Sequence, residues 1–117
     1  MKLFLFLLLL STSLFAEDKK LLMLFVKMEH CVWCEKMENE VFADQKVNTA
    51  LQKQFVIKKL IYGSDTLPSV VKPKHFPTTY VLSLDGTKVI DSLEGYREKE
   101  KFLKFFSGTY EMTEDDL

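Results

Sequence analysis

The stretch that decides the fold of this chain is His30-Cys31-Val32-Trp33-Cys34-Glu35-Lys36-Met37-Glu38, which holds the only two cysteines among 117 residues. They are spaced C-x-x-C, close to what the flanking sequence suggests is a junction between a strand and a helix. This spacing permits either a short-range disulfide with redox chemistry or half of a metal site. The rest of the sequence has to favour one of these two.

The segments on either side of the cysteines predict a buried strand and an amphipathic helix. Residues 21–26 form a short, continuously apolar run, as expected of a strand that is buried on both faces at the centre of a sheet. From Cys34 onward, apolar side chains recur every three to four positions, at Met37 and Val41. This period predicts a helix that starts at or near Cys31.

The remaining residues predict a single small α/β domain. Asp44 can cap a second short helix, and residues 56–62 suit an edge strand because two adjacent lysines oppose further strand pairing. Asp85-Gly86 indicates a hairpin of two antiparallel strands. Residues 97–107 predict a last helix with an apolar face that contains Phe102, Phe105 and Phe106. The order predicts a sandwich whose first two strands are parallel, joined by a right-handed crossover.

The first sixteen residues have the pattern of a secretory signal peptide. Lys2 precedes the apolar run 3–10, and the small residue Ala16 precedes a polar stretch. The run is shorter than the ~20 residues that span a bilayer, so cleavage after Ala16 is expected and retention as an anchor is the alternative. The mature domain would then be 17–117, with a core at about 20–107 and an acidic tail at 109–117. Export to the periplasm would place the cysteines where disulfides persist.

The composition argues against several classes of function. The chain is 47% hydrophobic and 28% charged, as in an ordinary globular protein. Its formal net charge is −1, so it lacks the excess of basic residues that is typical of nucleic-acid-binding proteins. The only histidines, His30 and His75, could join the cysteines in a metal site, but their spacing is not that of a zinc finger. We therefore expect no nucleic acid, no metal and no cofactor. A copper- or metal-handling module remains an alternative function.

The whole pattern resembles the thioredoxin fold. A central strand delivers C-x-x-C to a helix N-terminus, a crossover leads to another strand, Phe76-Pro77 opens a hairpin, and a closing helix follows Gly95. The resemblance covers roughly residues 20–106. It implies a central mixed sheet of about four strands flanked by helices, trimmed at its N-terminus relative to a full thioredoxin.

Within that superfamily, residues 31–38 and 41–47 are most similar to exported thioredoxin-like reductases, including the C-terminal domains of the DsbD electron conductors. Two positions depart from ordinary thioredoxins. Val32-Trp33 replaces their Gly-Pro, and Phe25 stands where they keep a buried acid. The first departure leaves the reduction potential open, and the second removes the usual proton acceptor.

The resemblance implies thiol-disulfide oxidoreductase chemistry in which Cys31 attacks and Cys34 resolves. Cys31 is the better nucleophile because the unpaired N–H groups of a helix N-terminus can stabilise a thiolate. Cys34 lies one turn deeper and can attack a mixed disulfide. Glu38 lies four residues beyond Cys34, hence on the same helix face, and the resemblance suggests that it handles a proton.

The same resemblance implies a cis bond before Pro77, with Pro77 facing the disulfide and the main chain of Phe76 free to pair with a partner strand. Trp33 and Phe76 are expected to border an apolar rim, and together with Pro77 they are the predicted substrate-binding residues. The expected function is reduction of disulfides in periplasmic client proteins by a monomer, in cytochrome c maturation or periplasmic redox homeostasis. A membrane thiol-electron conductor or another thiol carrier would recharge it. A thiol oxidase or isomerase is the enzymatic alternative.

Overall fold

The computed structural model describes residues 20–108, so the expected signal peptide and the acidic tail lie outside the described residues. The elements in chain order are β1 (Leu21–Lys27), α1 (Val32–Met37), a π-helical segment (Glu38–Phe42), α2 (Gln45–Gln52), β2 (Phe55–Ile61), β3 (Thr78–Leu82), β4 (Val89–Glu94) and α3 (Lys99–Phe106). Within this range no helix is both long enough and apolar enough to cross a membrane.

The four described strands form one mixed sheet in the order β2-β1-β3-β4. β1 runs parallel to β2 and antiparallel to β3, and β3 pairs with β4 in the antiparallel sense. β1 lies in the interior of the sheet, and its first six residues are buried, as its continuous apolar run predicts. The predicted thioredoxin-like sheet and the edge position of β2 are both confirmed.

Alternate side chains of β1 enter two separate apolar clusters, one on each face of the sheet. Met23 and Phe25 pack on the helix-bearing face with Cys34, whereas Leu22 and Leu24 pack on the other face. On the helix-bearing face the ring centroid of Phe25 lies 4.7 Å from that of a second buried phenylalanine in the π-helical segment. This face, which we call the helix face, is where the cysteine pair is built.

The helix after the cysteines differs from the predicted one. It passes into a π-helical turn at Glu38, in which the N–H of Ala43 donates to the Glu38 carbonyl at 2.8 Å. A π-helical turn holds one residue more than an α-helical turn. Because of this, the adjacent residues Val41 and Phe42 can both be buried, at 0% and 3% exposure.

Two further boundaries differ from the sequence prediction. The last helix starts at Lys99, and Phe105 is 42% exposed whereas Phe102 and Phe106 are buried, so the apolar face is narrower than predicted. The hairpin loop is longer because Asp85 accepts hydrogen bonds from the Ser83 hydroxyl and from the amide and hydroxyl of Thr87. These bonds lower the pKa of Asp85 to about 2.

Candidate active site

Cys31 and Cys34 form a disulfide with their Cα atoms 5.2 Å apart. Cys31 is the N-cap of α1, and its Sγ accepts a hydrogen bond from the Cys34 amide at 3.2 Å. A backbone N–H directed at this sulfur would also favour its thiolate once the pair is reduced. Cys31 is partly exposed whereas Cys34 is 1% exposed. The outer sulfur can therefore meet a partner, and the inner one is shielded from it.

The turn before the disulfide depends on His30. Its φ of +58° places it in the left-handed region, and it is the one non-glycine residue with positive φ in the part of the chain that the structure describes. The turn sends the chain from β1 into an extended Cys31, with φ −100° and ψ 108°, as an N-cap requires. The imidazole of His30 is exposed, so the backbone of His30 is what shapes the site.

Glu38 lies under the helix between two lysines. Lys27 Nζ, at the end of β1, donates to Glu38 Oε1 at 2.5 Å, and Lys59 Nζ on β2 lies 3.8 Å from Oε2. The Glu38 side chain is 22% exposed. A partly shielded carboxylate held by two ammonium groups is a fixed feature of the helix face.

Both lysines were missed as partners of Glu38, although strand alternation carries the signal. Lys27 alternates in step with Met23 and Phe25 on β1, and Lys59 does so with Phe55 on β2. All five side chains therefore share the helix face. We interpreted Lys59 only as a charge that protects a sheet edge. The alternation of side chains along each strand predicts that both lysines lie on the helix face.

Trp33 is held in place although its side chain is 54% exposed. Its ring centroid lies 5.5 Å from that of Tyr96, and Lys36 Nζ lies 5.1 Å from the Trp33 ring and 4.8 Å from the Tyr96 ring. The Tyr96 hydroxyl in turn donates to Glu40 Oε2 at 2.5 Å. This hydrogen bond to a carboxylate, with burial, raises the pKa of Tyr96 to about 12.

A groove of about 590 Å³ lies beside this aromatic pair. Trp33 and Tyr96 form one side of it, Phe76 another, and the exposed pair His75 and Glu94, 3.7 Å apart, completes the wall. The structure thus brings together Trp33 and Phe76, two of the three residues predicted to bind substrate. Tyr96 and Glu94 were missed because no local pattern links them to residues some sixty positions earlier.

The Phe76–Pro77 peptide is cis, as the resemblance implies. Pro77 is buried, and its carbonyl accepts a hydrogen bond from the Gly95 amide at 2.7 Å. Gly95 has a φ of +82°, which a side chain would disfavour. The loop before β3 and the loop after β4 are therefore joined directly beside the groove.

Within residues 20–108, no group of three or more His, Cys, Asp and Glu side chains is arranged to hold a metal ion. His75 instead faces Glu94, and His30 lies at the turn before Cys31.

Tyr96→Phe is expected to loosen Trp33 while the fold is kept. The pKa of Tyr96 is raised from 10.0 to about 12, so the contribution of its hydroxyl to stability is complete below pH 10 and disappears as the pH rises from 10 to about 12. Because Trp33 is the only tryptophan, its fluorescence anisotropy reports on the contact. We expect the anisotropy of the wild-type protein to fall over this range and that of Tyr96→Phe to be low already at pH 8.

Tyr62→Phe is the matched control, because Tyr62 contacts Phe76 rather than Trp33. Equal anisotropy in Tyr96→Phe and wild type at pH 8 would show that the hydroxyl does not hold the tryptophan.

A mixed sheet in the order 2-1-3-4, a C-x-x-C disulfide at a helix N-cap and a cis-proline before β3 define a thioredoxin-like thiol-disulfide oxidoreductase. A family model described as a thioredoxin-like domain matches residues 11–108, and the chain belongs to this family. Among curated proteins, none matches the sequence significantly.

Solved structures share the fold at low sequence identity. A thioredoxin from Thermus thermophilus is 24% identical with a TM-score of 0.58, covering 74% of this chain and 70% of its own. The oxidised C-terminal domain of DsbD from Neisseria meningitidis is 19% identical with a TM-score of 0.59, covering 75% and 78%. The periplasmic thioredoxin SoxS from Paracoccus pantotrophus is 18% identical with a TM-score of 0.61, covering 75% and 93%.

Proposed function

We propose that this protein is an exported reductase that uses the Cys31–Cys34 pair to reduce disulfides of periplasmic client proteins. The observation that carries the proposal is the asymmetry of the pair. Cys31 is partly exposed at a helix N-cap two residues before Trp33, which lines a groove, and Cys34 is buried one turn below. This is the arrangement that a nucleophilic thiol and a resolving thiol require.

The reaction has two exchange steps. The Cys31 thiolate attacks one sulfur of the client disulfide, and the other client sulfur leaves as a thiolate that takes up a proton. Cys34 then loses its proton, attacks Cys31 Sγ and displaces the first client sulfur. The client gains two electrons and two protons, and the protein ends with the Cys31–Cys34 disulfide.

The groove supplies a place for the client chain. Trp33 and Phe76 offer apolar contact, and in this proposal the main chain of Phe76 pairs with an extended client segment. Trp33 is pre-positioned by Tyr96 and Lys36, which lowers the ordering cost when a client binds. Trp33, Phe76 and Pro77 are thus the client-binding residues of the proposal.

The reductive direction is supported by the charges around Cys31. Glu29 and Glu35 are exposed within four residues of it, and their negative charges disfavour a thiolate. A strong oxidase instead needs its reduced thiolate to be strongly stabilised. We expect a mildly activated thiol.

The proposed periplasmic location is supported by residues 1–16, which resemble a signal peptide, and by the structural similarity to SoxS, a periplasmic thioredoxin. In that compartment a membrane thiol-electron conductor or another thiol carrier would return electrons to the oxidised pair. Cytochrome c maturation and general redox homeostasis are the two processes in which such a monomeric reductase would serve.

The reduction potential tests the direction of the reaction. Equilibration with glutathione or dithiothreitol buffers, followed by alkylation of free thiols, should give a value near that of thioredoxin, about −270 mV. A value near about −120 mV, as for DsbA, would assign the protein to the oxidases. Fractionation of cells that express the full chain tests its export.

Glu38→Gln is expected to slow the second exchange step by about 10- to 100-fold, because a positioned general base contributes on the order of 10²–10⁴ and water replaces part of that effect. Glu38 is the proposed acceptor of the Cys34 proton, held in place by Lys27 and Lys59. The measurement is single-turnover release of a client thiol from a preformed mixed disulfide.

Glu100→Gln removes the same charge from the exposed surface of α3 and should leave this rate unchanged. A wild-type rate in Glu38→Gln would remove Glu38 from the mechanism. Stability should fall by less than about 1 kcal/mol, since the ion pair with Lys27 is partly solvated.

A further inference from the structure

Thr79 carries a buried hydroxyl without a hydrogen-bond partner. Among the side-chain nitrogen and oxygen atoms of residues 20–108 that are fully buried, its Oγ1 is the one that no other group contacts by hydrogen bond. The residue is 0% exposed. An unpaired buried hydroxyl is unfavourable, and nearly all buried polar atoms in proteins are paired. Its presence in the core of so small a sheet therefore requires a reason.

The position of Thr79 in the sheet directs its side chain toward the cysteine pair's side of the molecule. Thr79 lies directly opposite Phe25 of β1 and Leu93 of β4, and opposed residues share a face. Phe25 and Leu93 belong to the same buried cluster as Cys34. The side chain of Thr79 thus lies on the same face of the sheet as the apolar cluster that contains Cys34.

The neighbouring threonine shows the contrast. Thr78 is also buried, but it has the opposite parity, and its hydroxyl donates to the carbonyl of His75. The hydroxyls of these two adjacent threonines thus differ in whether they have a hydrogen-bond partner. The one on the Cys34 side has no partner while the cysteines are joined as a disulfide.

Cys34 needs a hydrogen-bond donor in the reduced state. It is 1% exposed, and in the proposed second step it must carry a negative charge in an apolar cluster. A buried anion is strongly disfavoured unless donors compensate for the lost water. Reduction breaks the S–S bond and frees the two sulfurs to separate, and a threonine hydroxyl on the same face can then donate to the Cys34 sulfur without losing its proton.

We infer that the Thr79 hydroxyl donates a hydrogen bond to the Cys34 sulfur when the pair is reduced, and that it thereby stabilises the reduced protein and the resolving thiolate. The disulfide gains two electrons and two protons to become two thiols, whereas Thr79 keeps its proton throughout. This inference rests on the proposed function in one respect, which is that the Cys31–Cys34 pair cycles between the two redox states.

The first test is the redox equilibrium of Thr79→Val with dithiothreitol. Valine has nearly the same shape and suits a strand, so the fold is kept. In the oxidised protein, removal of the hydroxyl removes an unpaired buried polar group and so stabilises that form. In the reduced protein it removes the inferred hydrogen bond to Cys34. The redox equilibrium should therefore shift about five- to tenfold toward the disulfide. A tenfold shift corresponds to a potential about 30 mV more negative. Thr79→Ser, which keeps the hydroxyl, should remain within about twofold of wild type.

The second test is denaturant unfolding of each variant in both redox states. In the oxidised protein Thr79→Val should raise the unfolding midpoint, whereas Thr78→Val should lower it, because only Thr78 loses a bond that exists in that state. In the reduced protein, Thr79→Val should leave the unfolding midpoint unchanged or lower it.

An unchanged equilibrium in Thr79→Val, with equal stability changes in both redox states, would overturn the inference. An equal shift in Thr79→Ser and Thr79→Val would also overturn it, since the effect would then not depend on the hydroxyl that serine keeps. Neither test uses a client protein. Failure to reduce clients, with the Thr79 shift present, would therefore refute the proposed function alone.

Discussion

Cys31→Ser is expected to abolish disulfide reduction, with turnover falling to the uncatalysed rate. Cys31 Sγ is the sulfur of the pair that a client can reach, and a serine hydroxyl neither ionises at neutral pH nor forms a mixed disulfide. The measurement is reduction of a model protein disulfide with an excess of dithiothreitol as electron source. Helical content should be unchanged, because the lost disulfide spans only three residues.

Cys34→Ser is the informative partner of this variant. The first exchange still proceeds, but no buried thiol follows to release the client, so mixed disulfides through Cys31 should accumulate. Non-reducing electrophoresis after expression of the full chain in its native host would detect them, and their mass would identify the clients. The double variant Cys31→Ser, Cys34→Ser is the control and should trap nothing. Wild-type turnover in Cys31→Ser, or adducts in the double variant, would contradict the assigned roles.

Phe25→Asp is expected to be the most destabilising single change in the core. Thioredoxins keep a buried acid at this position, but here the phenylalanine is 0% exposed and packs against Phe42 at 4.7 Å. Loss of a buried phenylalanine ring costs about 3–5 kcal/mol, and a buried acid without full compensation adds about 1–3 kcal/mol. This loss approaches the whole stability of a small domain, about 5–15 kcal/mol, so we expect a largely unfolded protein.

Denaturant unfolding followed by circular dichroism measures this effect. Phe25→Leu is the matched control, because it keeps an apolar side chain and should cost less than about 1.5 kcal/mol if the core repacks. A folded Phe25→Asp protein that loses less than about 2 kcal/mol would show that the helix face can accommodate a buried acid. In that case Lys59, which lies opposite residue 25 in the sheet, would be the side chain to compensate it.

In the proposed mechanism the proton acceptor of this site differs from that of ordinary thioredoxins. With Phe25 on the central strand, the acid nearest in sequence to the buried cysteine on its own helix face is Glu38, and two strand lysines hold its carboxylate. The lysines come from two parallel strands that both end beneath α1. We expect the proposed proton transfer to depend on this three-residue arrangement.

Local signals made most of the fold predictable. The apolar run of β1, the cap at Asp44, whose carboxylate accepts from the Val47 amide at 3.0 Å, and the Asp85-Gly86 turn each act over fewer than ten residues. Over such distances the periodicity of side chains and the geometry of the backbone decide the structure. The π-helical turn at Glu38 escaped prediction because its cause is the burial of both Val41 and Phe42 by distant elements.

The sequence by itself determined that a C-x-x-C pair would lie where a central strand meets a helix, because the spacing and the flanking apolar periods already require it. Only the tertiary structure decided what surrounds that pair. Tyr96 reaches Glu40 across 56 residues, and Thr79 lies on the same face of the sheet as the cluster of Cys34 through its pairing with Phe25. Strand register sets the second of these placements, and a shift of one residue would turn the Thr79 side chain to the other face of the sheet.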